Sequence, residues 1–545
     1  MALIIRVLGW FLILTLYWAM DWLNFLQAIK SALAGSLSIL ALSSWTVHEG
    51  HESKAGRLLN LLVVFLFLAI CGFQSFLRDV FGVAQDDLIV VEALFNTDGG
   101  EASEFLIQHV WSIGKHLLVI FAASLFYWFL TGLRLPSAKH ADGSGKSDIK
   151  VRKRGIGLPA VLFTGLFLLL HVNPTMRKEN PLLYFPIRHA KWERSVESTR
   201  ALQEKISTAV TVDSSLATLR YTGTEPRTVV FLIGESVTRL NWSLYGYERR
   251  TTPELESLGS RLVAFTDVIT TLGSTVGDIR LMLGPGTREQ PELYSSKPDI
   301  LTMAGRVGFK TFWITNHSTD MAGALSILAE HADVTVNVNR GGSRGEGSHD
   351  EVILPVLEEA LDDPAPLKFI VLHLLQAHPA FYFRYPESFA RFDNADDEVA
   401  RSLKAEGRSL RARKMRNYYD NAMLYSDHIL RATIDLCEQR SDQSIAWLYA
   451  PDHGEDVGHY SNFVGHNNRV PAMFEIPLLF WRSEAFPKGL PEKSGFESRP
   501  YQTDLIDHTL LGLMGIEGDY YDSARDILSP RFEPLPRYIA EKPYP

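Results

Sequence analysis

The sequence predicts a two-part α/β protein. A five-helix transmembrane domain comes first, followed by a domain with a mainly parallel sheet covered by helices on both faces. Three observations predict it. Long apolar runs crowd the first third of the chain and then stop. From Pro226 onward, short β-branched and aromatic runs alternate with helical stretches, the pattern of strand–helix units in a parallel sheet. Several of those runs end on acidic, hydroxylic or imidazole residues, and in an open α/β sheet substrates bind outside the carboxyl ends of the strands.

A chain of 545 residues exceeds one hydrophobic core, so more than one domain is expected. Apolar stretches at about 4–20, 23–47, 58–77, 116–133 and 155–172 are each long enough to be read as membrane spans. The first is not read as a cleaved leader: Arg6 is a thin basic start, no small-x-small site follows it, and four more spans do. Loop charge orients the spans. The segment between the fourth and fifth carries Arg134, Lys139, Lys146, Lys150, Arg152, Lys153 and Arg154. The segment between the third and fourth carries Arg78 against Asp79, Asp86, Asp87, Glu92, Asp98, Glu101 and Glu104. The basic segment is cytoplasmic and so is the N-terminus, and an odd number of spans puts everything after Val172 on the far side. In a bacterium this means a multi-pass inner-membrane protein with a periplasmic domain. The expected division is 1–173 transmembrane, 174–225 juxtamembrane linker, and 226–545 periplasmic catalytic domain. The linker opens on Pro174, Pro181 and Pro186, and 187–206 has helical spacing that suits an amphipathic surface helix or a plain helical linker.

A net charge of −9 argues against nucleic acid as a partner. The two cysteines, Cys71 and Cys437, are too far apart in kind and place to predict a disulfide framework.

In the second part, strands are expected at 228–233, 309–314, 369–375, 445–450 and 476–481. Helices are expected at 253–262, 326–332, 352–361, 417–438 and 501–513. The run 341–349 (GGSRGEGSH) reads as a mobile loop. The strand at 228–233 runs into Gly234-Glu235-Ser236, and the strand at 445–450 into Pro451-Asp452-His453-Gly454-Glu455. The run 368–375 leads into Gln376-Ala377-His378. Three strands thus deliver Glu, Asp-His and His to one rim, and these are ligand types that suit a divalent metal such as zinc. Adjacent Asp452 and His453 on an irregular turn can face one ion, which neighbours within a strand cannot do. Thr275, in the Gly- and Ser-rich turn 272–277, means little alone, and His378 and His466 alone read as structural histidines; their joint occurrence is what marks a metalloenzyme.

The runs Gly234–Ser236, Ser243–Tyr247 and Thr251–Leu255 resemble the phosphoethanolamine transferases of the alkaline phosphatase/sulfatase superfamily. So do Thr311–Asn316, Asp363–Pro366, His373–His378, Arg384–Pro386, Tyr419–Asn421, Asp452–Glu455 and Ile476-Pro477. Among these transferases the chain is most similar to the branch that modifies a heptose of the lipopolysaccharide core. The resemblance implies an alkaline-phosphatase/sulfatase-like fold and a Zn2+ site, with room for a second ion. It places the metal ligands at Glu235, Thr275, Asp452 and His453, with Thr275 also the nucleophile. His378 and His466 match histidines near the substrate or a second zinc, and His317 and Ser318 fall where the donor head group is held. It implies phosphatidylethanolamine as donor, a sugar of the lipopolysaccharide core as acceptor, and a covalent adduct on Thr275. Metal coordination would make a threonine hydroxyl a competent nucleophile, because it lowers the pKa of a bound oxygen by many units. One departure stands out. Relatives that modify lipid A hold the nucleophile in a cysteine-flanked turn, and here the turn has no cysteine, which favours the core-heptose branch and leaves the adjacent Ser274 as a rival nucleophile.

The competing readings are transfer to lipid A or a periplasmic glucan, and a phosphoglycerol transferase or phosphodiesterase of the same superfamily. A sulfatase activity would require a formylglycine precursor, and nothing at Thr275 fits one. A non-catalytic membrane scaffold is opposed by the intact Glu235, Thr275, Asp452 and His453 set.

Overall fold

The computed structural model describes residues 2–19, 25–48, 51–52, 54–81, 99–132, 158–178, 180, 214–291, 293, 297–317, 324–339, 349–487, 495–539 and 542–544. The chain divides into two compact units. One comprises Met1–Asp79 with His109–Ser195, and the other Val80–Gln108 with Val196–Pro545.

The first unit is helical. Its apolar helices are α1 (Ala2–Ala19), α2 (Phe25–Thr46), α3 (Lys54–Phe81), α4 (Val110–Gly132) and α5 (Leu158–Leu170). Trp10 and Tyr17 from α1, Phe67 from α3 and Tyr127 from α4 are buried in one cluster. Many other apolar side chains, such as Leu117, Leu118 and Phe121, point outward, as helices facing lipid do. Among the described residues, three stretches are long and apolar enough to cross a membrane: Ala28–Thr46, Lys54–Leu77 and Val110–Leu130. The apolar helices Arg6–Trp18 and Leu158–Leu170 are shorter, and residues 155–157 at the start of the fifth expected span lie outside the described residues. The expected linker helix at 187–206 also lies outside them.

The second unit is built on a seven-stranded sheet. In chain order its strands are β1 (Arg227–Gly234), β2 (Val263–Phe265), β3 (Lys310–Thr315), β4 (Val334–Asn337), β5 (Leu367–His373), β6 (Ile445–Pro451) and β7 (Leu478–Arg482). Their order across the sheet is β2-β7-β6-β1-β5-β3-β4. The neighbours β6-β1, β1-β5, β5-β3 and β3-β4 are parallel, while β7 runs antiparallel to both β6 and β2. The sheet is therefore mixed, with a parallel centre. Alternate residues of β1 enter different cores: Val229, Phe231 and Ile233 on one face, Val230 and Leu232 on the other. Burial on both faces explains why the central strands read as unbroken apolar runs.

Helices α6 (Thr275–Leu283), α7 (Ile300–Arg306) and α11 (Ile506–Met514) cover the first face. Helices α8 (Leu354–Leu361) and α10 (Leu410–Glu438) cover the second, and α9 (Glu398–Ala405) precedes α10. Helix α10 starts earlier than its expected 417, because Ser409 caps it by accepting from Ala412 N. The helix expected at 501–513 begins only at Ile506, since Tyr501 and Gln502 pair as a short strand with Val268 and Ile269. The one expected at 253–262 is cut to Pro253–Glu256, with a separate turn at Gly259–Arg261. Cys71 and Cys437 are both buried and form no disulfide.

Candidate metal centre and active site

Strands β1 and β6 are in register, with Gly234 opposite Pro451, so the residues that follow each strand emerge side by side. Glu235 follows β1, and Asp452 and His453 follow β6. All three are fully buried. The backbone then turns sharply: Ser236 has φ 59, a left-handed conformation costly for a non-glycine residue and maintained only where the surroundings dictate it. Asp452 Oδ1 supports the turn by accepting from Ser236 N (3.1 Å) and His453 N (2.6 Å). Gly454 is required where it stands, because a Cβ there would lie 2.1 Å from the carbonyl oxygen of Ala472.

Thr275 reaches the same point from the first residue of α6. Its hydroxyl donates to Glu235 Oε2 at 3.2 Å and lies 3.3 Å from His453 Nε2. Asp278, one turn on, accepts from the amides of Thr271 (3.0 Å), Leu272 (2.8 Å) and Ser274 (2.9 Å), and so shapes the turn that presents Thr275. Gly273 sits in that turn at φ 70. Ser274 precedes the helix in extended conformation, and its hydroxyl lies over Gly277 of its own helix.

The ligand atoms of Glu235, Asp452 and His453 lie within 4.8 Å of one another. His453 Nε2 is 3.6 Å from Glu235 Oε1 and 3.4 Å from Asp452 Oδ2. His453 Nδ1 donates to Gly454 O at 2.8 Å, which leaves Nε2 with its lone pair toward the carboxylates. Burial, and then the charge of Asp452, push Glu235 up to about 8; burial raises Asp452 to about 7. Asp452 Oδ2 is buried and accepts no hydrogen bond. Two desolvated carboxylates, one of them with an oxygen left without a hydrogen-bond partner, and an imidazole lone pair converge on one point, and a divalent cation fits that donor set.

Four further histidines, His466, His317, His373 and His378, border the cluster. His466 lies beyond it: its ring is 4.7 Å from that of His453, and its Nδ1 is 3.2 Å from Glu455 Oε2. His453, Glu455 and His466 form a second group able to hold a cation. On the other side, His317 stacks on His373 at 3.9 Å, and its ring is 5.8 Å from that of His378. His317 Nε2 donates to Leu374 O at 3.0 Å, while Nδ1 has no hydrogen-bond partner. Burial holds His317 down to about 4 and keeps His378 and His466 well below the usual imidazole range, so all three are neutral. Ser318 lies outside the described residues, as do residues 341–348 of the expected mobile loop.

Sequence reasoning missed Asp350, Gln376 and His373. Asp350 ties two strand ends together: it accepts from Leu375 N (2.9 Å), Gln376 N (2.8 Å) and Asn316 Nδ2 (2.9 Å). Gln376, at φ 25, accepts through Oε1 from Glu235 N (3.3 Å) and Tyr449 OH (2.9 Å).

A family model described as Sulfatase matches residues 227–516, more than half of the 545-residue chain. The chain belongs to the sulfatase family. This sulfatase-family chain is 34% identical over 332 residues to phosphoethanolamine transferase EptC of Escherichia coli (strain K12), a match covering 59% of the chain and 56% of that relative. It is 34% identical over 334 residues to phosphoethanolamine transferase CptA of Salmonella typhimurium, covering 59% and 57%. The matched region thus spans a little over half the length of these relatives. Among solved structures, the C-terminal periplasmic domain of E. coli EptC in complex with Zn is similar at 32% identity and a TM-score of 0.56, covering 60% of this chain and 94% of that one. The integral membrane protein lipooligosaccharide phosphoethanolamine transferase A of Neisseria meningitidis shares the fold, with a TM-score of 0.61 over 96% of this chain and 97% of that one, at 18% identity.

Proposed function

We propose that the protein is a zinc-dependent phosphoethanolamine transferase of the bacterial inner membrane. In this reading five spans anchor it, residues 226–545 form its periplasmic catalytic domain, phosphatidylethanolamine is the donor and a heptose of the lipopolysaccharide core is the acceptor. The observation that carries the reading is the Thr275 hydroxyl, placed 3.2 Å from Glu235 and 3.3 Å from His453 at the ends of two adjacent parallel strands. The similarity to EptC and CptA supports the phosphoethanolamine chemistry, and the zinc in the EptC structure supports the metal.

Glu235, Asp452, His453 and the Thr275 oxygen would hold zinc. Bound there, zinc supplies a lowered pKa for a coordinated oxygen and offsets charge on phosphoryl oxygens. The chain's own groups account for the rest. Glu235 orients the Thr275 oxygen toward the phosphorus of the donor. A bond forms between Thr275 Oγ1 and phosphorus, and the phosphorus–oxygen bond to diacylglycerol breaks. A neutral imidazole, His378 or His466, takes up the threonine proton and returns it to the diacylglycerol oxygen. In the second half the same imidazole accepts the proton of the acceptor hydroxyl as its oxygen attacks phosphorus, and passes it to Thr275 as the adduct breaks. His317, stacked on His373, borders the space where the head group of the donor would sit.

Mass spectrometry of lipopolysaccharide, separated into lipid A and core, tests the reading. Cells with the protein are expected to carry an added phosphoethanolamine on the core. An addition on lipid A alone would overturn the acceptor, and no addition anywhere would overturn the reading.

A further inference from the structure

The metal-bordering residues Glu455 and His466 stand at the base of a small hairpin. Asp456–Val457 pairs antiparallel with Val464–Gly465, with Asp456 opposite Gly465 and Val457 opposite Val464. Each strand has two residues, so the connecting turn lies only roughly 7 Å from the hairpin base. That turn is clamped to the start of α10. Arg408 donates to Gly458 O and His459 O, both at 2.9 Å, and Ser409 N donates to Asn462 Oδ1 at 2.6 Å. Arg416, further along, donates to Val457 O at 2.9 Å.

The clamped segment has unusual chemistry for this chain. Between residues 401 and 414 it carries Arg401, Lys404, Arg408, Arg411, Arg413 and Lys414 against Glu406, in a protein of net charge −9. Arg408 pairs with Glu406, and Arg401 pairs with Asp396 and Glu398 at the start of α9, while Lys404, Arg411 and Lys414 add further positive charge. Arg401, Lys404, Arg411 and Lys414 are exposed. Apolar side chains are exposed in the same place. Beyond residue 214, the exposed large hydrophobics among the described residues are Leu272, Leu410, Tyr460 and Leu535. Leu410 is 64% exposed and opens α10 amid the cations, and Tyr460, 48% exposed, is on the hairpin turn. Leu272 lies three residues before Thr275, and its carbonyl accepts from Asn468 Nδ2. Exposed cations flanking exposed apolar side chains are the composition of a surface that meets phosphate groups and acyl chains together.

We propose that this rim, formed by α9, the start of α10 and the 458–463 turn, is a docking surface for an anionic lipid surface. Its cations meet lipid phosphates while Leu410 and Tyr460 enter the apolar boundary. The surface would hold a phosphate-bearing amphiphile beside the hairpin whose base carries Glu455 and His466. The inference rests on the reading that the site acts at a membrane, and it names how the domain meets the anionic lipid of that surface. Charge complementarity selects the occupant: a zwitterionic surface offers these cations no net attraction, and an anionic one does.

The test is lysine acylation of the full-length, zinc-loaded chain in nanodiscs. One set contains phosphatidylcholine alone, and in the other about a third of the lipid is phosphatidylglycerol. Labelling of Lys404 and Lys414 is expected to fall about fivefold in the anionic discs and to recover at about 1 M salt. Lys310, which pairs with Asp363 at the start of β3, should label equally in both. The Leu410→Ser/Tyr460→Ser variant, with every cation retained, should lose most of the protection. Equal labelling of Lys404 and Lys414 in the two discs would overturn the proposal. Protection that appears in phosphatidylcholine discs and grows with protein concentration would assign the face to a second copy of the chain, which also overturns it. A transfer assay on the same protein, in discs that also contain phosphatidylethanolamine and with lipopolysaccharide added as acceptor, separates the two claims: transfer without protection sinks the surface alone, and protection without transfer sinks the functional reading alone.

Discussion

The hydroxyl of Thr275 donates to Glu235 across 3.2 Å, although 40 residues separate the two in sequence. The contact exists because β1 delivers Glu235 to the carboxyl edge of the sheet while Asp278 folds the 271–274 turn so that α6 begins on Thr275. The neighbouring hydroxyl of Ser274 turns back over its own helix.

Removing the metal should destabilise the protein through the carboxylates it covers. Chelation leaves Glu235 and Asp452 desolvated and facing each other, so melting of the wild type should fall. Restored zinc at about 100 times its Kd should return about 2.7 kcal/mol. In Asp452→Ala the melting temperature should respond weakly to zinc, and bound zinc should drop. A zinc response equal to that of the wild type would show that the ion binds elsewhere.

Asp350 accepts hydrogen bonds from Asn316 Nδ2, Leu375 N and Gln376 N, and the last two hold the Gln376 turn behind Glu235. Asp350→Ala should cost about 2–4 kcal/mol of stability, because buried donors are left without acceptors. It should also slow transfer at least about tenfold at temperatures where the variant remains folded, through displacement of Glu235 and His378. Unfolding and transfer measured on one preparation check this; unchanged transfer would mean that the turn holds without Asp350.

His331 gives stability a pH dependence away from the metal. Its Nδ1 is bound to Asp299, which also caps α7 by accepting from Thr302 N at 2.9 Å. The hydrogen bond to Asp299 raises the His331 pKa above its ordinary value, against a smaller opposing effect of burial. A raised folded-state pKa contributes stability that is complete below the unfolded value of about 6.5 and is lost as pH rises through the folded value. His331→Gln should therefore destabilise more at about pH 6 than at about pH 9. Equal penalties at both would show that the pair does not titrate as described.

The fold was legible wherever burial was two-sided. Strands β1, β5 and β6 read directly, because a strand covered on both faces is a continuous apolar run. The edge strands β2 and β4 did not, being short and half-exposed. Helix α6 was hidden by Gly277 in its first turn, which reads as a loop residue. With the helix unseen, Asp278 lost its meaning as an acid in a first helical turn. Glu235, Asp452 and His453 were legible because each follows directly on an apolar run. Asp350 and Gln376 were not: they work on backbone amides that meet only after folding, and nothing in their neighbours announces it. His373 was read as the interior of a strand, and only the stack against His317 shows its place beside the cluster.

The proposed topology rests on loop charge, and it decides whether an extracytoplasmic acceptor is reachable. A reporter that works only in the cytoplasm, fused after Pro545, is expected to be silent. Activity from that fusion would put the catalytic domain on the wrong side for a lipopolysaccharide acceptor.

The central claim is that Thr275 carries the transferred group. The most direct measurement incubates the purified, zinc-loaded full chain with phosphatidylethanolamine labelled in its head group, without acceptor, and maps the label by peptide mass spectrometry. A phosphoethanolamine adduct on Thr275 is predicted, absent from Thr275→Ala while that variant retains most of its zinc through Glu235, Asp452 and His453. The label on Ser274, or a Thr275→Ala variant that transfers as fast as the wild type, would contradict the account.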